Sequence, residues 1–126
     1  MSYQAVSHCG NDHQQWIKSI DFYKDDIRTL QTRLAEIATR NSAKEVLAGV
    51  EHFQNQFIVQ RNNMDELKHR IHEHDDKVAK DVQTHVGKIE SAQVSEHQNI
   101  KEEFEGFEKV VKDLRKEFNE FLAKWM

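Results

Sequence analysis

The sequence predicts an all-α fold: three long antiparallel helices in a coiled-coil-like bundle, forming one domain over residues 1–126. Three observations predict it. Turn-forming residues are scarce, with no proline and four glycines in 126 residues, where a β-rich fold needs many more. Hydrophobic residues make up 37% and charged residues 32%, the balance of long helices with apolar seams and charged outer faces. Apolar residues also recur at alternating three- and four-residue steps through most of the chain, which keeps them on one stripe of a helix.

The first helix is expected over about residues 12–40. Asn11 can cap it, and Gln14, three residues on, completes a capping-box pattern. Its seam is Trp16, Ile20, Tyr23, Ile27, Leu30, Leu34 and Ile37, an unbroken heptad series. Asp21–Lys24 and Asp25–Arg28 are spaced as helical ion pairs, but each contributes only about 0.2–0.5 kcal/mol. Burial of the seam must therefore supply most of the stability.

This helix is expected to end near Arg40–Asn41, since Asn tolerates the left-handed conformation that closes helices. Ser42 and Glu45 then form a capping box for a second helix over about 43–86. Its seam runs through Val46, Val50, Phe53, Phe57, Gln60, Met64, Leu67 and Ile71, then His74, Val78, Val82, Val86 and Ile89. Two exits compete. One is at His74–Asp75; the other pairs Gly87 as a stop with Ser95 as a new cap, and is preferred. Gln60 is a polar residue on the seam, of the kind that fixes register.

The third helix is expected over about 95–126, with the seam His97, Ile100, Phe104, Phe107, Val111, Leu114, Phe118, Phe121 and Trp125. Gly106 interrupts it, where a neighbouring helix is expected to approach closely. Long three-helix heptad bundles of this pattern resemble spectrin repeats in architecture. The resemblance implies a fold and no function.

The net charge of −4, with acids and bases interleaved, leaves no basic stripe for nucleic acid. No segment is long and apolar enough to span a bilayer, and no helix has a basic amphipathic face. The single cysteine, Cys9, rules out an intramolecular disulfide and a cysteine zinc cage. A soluble, cytoplasmic protein is expected. No Gly-rich phosphate loop and no nucleophile–base pair is readable, so neither an enzyme nor a cofactor is expected. The reading is a non-enzymatic structural or protein-interaction bundle.

The alternative is a metal-binding bundle that uses clustered His and carboxylate groups, with zinc or iron as the ion. The chain holds eight histidines. Asp65, His69, His72 and Asp76 recur on one helix face, and Glu66-x-x-His69 has the spacing of carboxylate-bridged di-iron bundles. An antiparallel first helix brings His13 beside residues 69–74. The candidate metal set is therefore His13, His69, His72 and Asp76, with imidazole and carboxylate ligands together. His74 and His97 fall on seams and read as core or edge residues.

The partner is expected to be a second copy of the chain or another helical protein. A first helix starting near residue 12 leaves Val78, Val82, Val86 and Ile89 against the third helix alone. A homodimer covering that stretch would place Ile100 and Phe104 near its contact.

Overall fold

In a computed structural model, residues 3–84 and 91–125 are described, with side chains from Gly10 onward. They form α1 (Tyr3–Arg40), α2 (Lys44–Thr84) and α3 (Ser91–Trp125), and no strand occurs among them. The helices pack pairwise around one core. Contacts give the directions. His13 bonds Asp75 and Lys24 bonds Asp65, so α2 runs against α1. Phe53 packs on Phe118 and His74 lies by His97, so α3 runs against α2. No helix among the described residues is long and apolar enough to cross a membrane.

The seams form the core. All seven expected residues of α1, from Trp16 to Ile37, are buried. So are Val46, Phe53, Phe57, Gln60, Met64, Leu67, Ile71, His74 and Val78 of α2. On α3 the buried series runs from His97 to Phe118, with Phe121 half-buried at its end. Phe53 and Phe57 each meet Phe118 edge to face at 5.2 Å, at the end of the bundle near the α1–α2 turn.

Helix ends depart from expectation in three places. First, α1 runs through Asn11 and Asp12 and reaches back to Tyr3. No proline stands in the way, and Gly10 inside a helix costs only about 1 kcal/mol relative to Ala. Second, the α1–α2 turn is closed by side chains differently than expected. The Asn41 amide donates to the Ile37 carbonyl at 3.0 Å and satisfies one of the orphan acceptors of α1. The Leu47 amide donates to the Ala43 carbonyl, so α2 begins at Lys44, and Glu45 reaches Lys124 of α3. Third, α3 starts earlier than expected, while α2 passes unbroken through Asp75 to Thr84, as the preferred later exit requires. Ser95 lies inside α3, which already starts at Ser91. The expected stop at Gly87, with Val86 and Ile89, lies outside the described residues.

α1 is longer than expected, starting at Tyr3 and not near residue 12. Ile100 and Phe104, expected at the dimer contact, are buried in the core of the single chain.

The close approach expected at Gly106 lies elsewhere. A Cβ at Gly106 would meet nothing within 4 Å, so no helix approaches there. A Cβ at Gly49 would lie 2.4 Å from the Phe121 ring, so the close approach is at Gly49. Charged rims set the register of α1 on α2: Lys68 donates to Asp21 at 2.8 Å and Lys24 to Asp65 at 3.0 Å. Asp21 and Lys24 thus spend their charge on the neighbouring helix and not on each other.

Candidate metal centre

Three buried histidines meet where the start of α1, the last turns of α2 and the start of α3 come together. His13 continues the α1 seam one turn before Trp16. His74 follows Ile71 on the α2 seam, and His97 precedes Ile100 on the α3 seam. A seam position points inward, so each helix contributes one imidazole to a single layer. Their exposures are 3%, 0% and 7%. Ring centroids are 5.1 Å apart for His13–His74, 5.2 Å for His13–His97 and 5.7 Å for His74–His97. One nitrogen from each ring can be chosen so that all three lie within 4.8 Å of one another. Trp16 roofs the layer, 4.9 Å from the His97 ring and 5.5 Å from the His13 ring.

Carboxylates hold the rings from outside. Nδ1 of His13 lies 2.7 Å from Oδ1 of Asp75, and Nε2 of His97 lies 2.9 Å from Oδ2 of Asp12. Glu96 stands farther off, with Oε2 3.9 Å from Nδ1 of His74, and it also pairs with Lys77. Neither His74 nitrogen makes a hydrogen bond of ordinary geometry, and Oε1 of the nearby Gln93 is likewise buried without one. Burial pushes the His74 pKa below its usual range, and His13 lowers it further; Glu96 opposes this only in part. His74 is therefore a neutral ring with a free lone pair near neutral pH.

The inner nitrogens carry the chemical information. Nδ1 of His97 faces Nε2 of His13 at 3.2 Å. A carboxylate only accepts hydrogen bonds, so the outer nitrogen of each ring carries a proton. If both rings are neutral, two lone pairs face each other across that gap. A cation between them resolves the conflict. Tetrahedral zinc with Zn–N near 2.0–2.1 Å sets its nitrogens about 3.3 Å apart, which the His13–His97 pair matches at 3.2 Å.

Of the residues singled out in sequence, only His13 lies in this layer. His69, His72 and Asp76 are exposed on the outer side of α2. His69 pairs with Glu73 one turn on, at 3.0 Å, and Asp65 pairs with Lys24 of α1. His72 lines a surface cleft with His13 and Asp75 but stands outside the buried cluster. His74 and His97 complete the layer in their place. No family model matches the chain, and neither a curated protein nor a solved structure matches it significantly.

Proposed function

We propose that this protein is a metal-binding helical bundle, not an enzyme, and that one zinc ion is held by His13, His74 and His97. The observation that carries the reading is the pair of inner nitrogens, 3.2 Å apart, on rings whose outer nitrogens are both bonded to carboxylates. A shared proton would serve those two nitrogens and leave His74 with only Gln93 beside it and Glu96 at 3.9 Å. A metal ion serves all three rings.

Chemistry favours zinc among the candidates. An all-imidazole set suits zinc better than the carboxylate-rich sets of non-haem iron. Asp75 and Asp12 occupy the outer-shell place that orients metal-bound histidines and raises their basicity. The three ligands come from three helices, so the ion staples the bundle at the end opposite the α1–α2 turn.

Elemental analysis and calorimetric titration of untagged protein test the reading. One zinc per chain is expected, with uptake abolished in His97→Ala protein that keeps its helix content. A folded wild-type chain that takes up no zinc would overturn it.

A further inference from the structure

The three ligand rings are at most 7% exposed, so an ion needs a way in. Two surface clefts touch the layer. One, of about 290 Å³, lies between α1 and α2 and is lined by Gly10, His13, Gln14, Ile17, Ile71, His72 and Asp75. The other lies between α1 and α3, and Asp12, Trp16 and Lys101 are among its lining residues.

The first cleft alone contains a ring of the cluster. Its floor is His13. Its wall is Asp75, which bonds His13 while its side chain stays 56% exposed. Its rim carries His72, one helical turn before Asp75 and exposed. Gly10 keeps the mouth open, since a Cβ there would meet nothing within 4 Å. An imidazole and a carboxylate at that spacing share one helix face and suit a borderline divalent cation. The second cleft is lined by three carboxylates, Asp12, Glu105 and Glu108, and by the Lys101 ammonium, but it offers no imidazole.

We propose that His72 and Asp75 form an outer cation site at the α1–α2 cleft, through which zinc reaches the His13–His74–His97 centre. The proposal rests on that centre binding a metal. An incoming ion exchanges waters for the His72 ring and the exposed Asp75 oxygen. From there it would reach the centre past His13, whose Nδ1 is held by Asp75 and whose Nε2 faces His97. The outer pair binds weakly, because it offers only two protein ligands, and this keeps it a way station.

Stopped-flow mixing with cobalt(II), whose visible absorption reports tetrahedral nitrogen ligation, tests the route. Gly10→Leu narrows the mouth without replacing a ligand. Uptake and release should both slow by about tenfold, with equilibrium affinity within about twofold of wild type. His72→Ala should slow uptake. Wild-type rates in both variants would overturn the route while leaving the centre intact. So would slowing that appears only when the opposite cleft is filled by Ser19→Leu. Absence of any cobalt spectrum in wild-type protein would remove the centre itself, and the route with it.

Discussion

Nδ1 of His97 stands 3.2 Å from Nε2 of His13, although the residues are 84 positions apart in the chain. Each ring is locked from behind by an aspartate, Asp12 on His97 and Asp75 on His13. Both aspartates come from helix positions next to a cluster histidine: Asp12 precedes His13 and Asp75 follows His74. Each helix of the α1–α2 pair therefore supplies one cluster histidine and one carboxylate that holds a cluster histidine of a different helix.

That exchange predicts the effect of removing a carboxylate. Asp75→Ala or Asp12→Ala should weaken zinc binding about 10–100-fold, the usual cost of losing an outer-shell partner. Competition with a chromophoric chelator measures it. Unchanged affinity in both variants would mean that the carboxylates do not orient the rings toward an ion.

Tyr23 gives a pH signature independent of metal. Its hydroxyl donates to Oε2 of Glu108 at 2.7 Å. Burial first, and then the Glu108 carboxylate, push its pKa up from 10.0 to about 12. The folded chain thus keeps a proton that the unfolded chain releases near pH 10. The contribution is fully present below pH 10 and is lost as pH rises from there toward 12. In a Tyr3→Phe background, phenolate absorbance should rise only near the upper value while the chain is folded. Tyr23→Phe should remove this part of the alkaline decline. A phenolate transition near 10 in folded protein would contradict the bond to Glu108.

The two glycines on opposite sides of the core predict opposite outcomes. Gly106→Ala meets no atom and should stabilise by up to about 1 kcal/mol through helix propensity. Gly49→Ala brings a methyl against Phe121 and should cost about 1–3 kcal/mol through overpacking. Chemical denaturation compares them, and equal gains in both would mean that α3 does not press on α2 at Gly49.

Packing at the turn end carries much of the fold. Phe57 is fully buried between Phe53 and Phe118. Phe57→Ala should cost about 3–5 kcal/mol. A loss below about 0.5 kcal/mol, the range of surface substitutions, would place this ring outside the core.

The sequence carried the bundle plainly, because a seam of Trp16, Ile20, Tyr23 and Ile27 has no buried alternative to a helix face. Helix ends were less legible. Asn11 is a good cap in isolation, worth about 1 kcal/mol, yet α1 runs past it to Tyr3. The site was half legible. His74 and His97 were readable as seam residues, and His13 continues the α1 seam by one further step. The signal passed over was their shared layer. Antiparallel neighbours bring the start of α1, the end of α2 and the start of α3 together, so one seam histidine at each place must converge. The exposed face of Asp65, His69, His72 and Asp76 drew attention because its spacing is regular, but regular spacing on an outer face gathers no ligands from other helices.

His74→Leu tests the central claim most directly. Leucine matches the imidazole closely in volume and removes two buried nitrogens that have no hydrogen-bond partner. Without metal, the variant should be more stable than wild type by about 1–3 kcal/mol, the cost of leaving such groups unsatisfied. Zinc at about 1,000 times its dissociation constant should stabilise wild type by about 4 kcal/mol and leave His74→Leu unchanged. Thermal melts of both proteins, with zinc and with chelator, give the four values needed. The account predicts that the variant melts higher in chelator and gains nothing from zinc, whereas wild type gains. A wild-type melt indifferent to zinc, with His74→Leu less stable than wild type, would contradict it and make His74 a packing residue of the core.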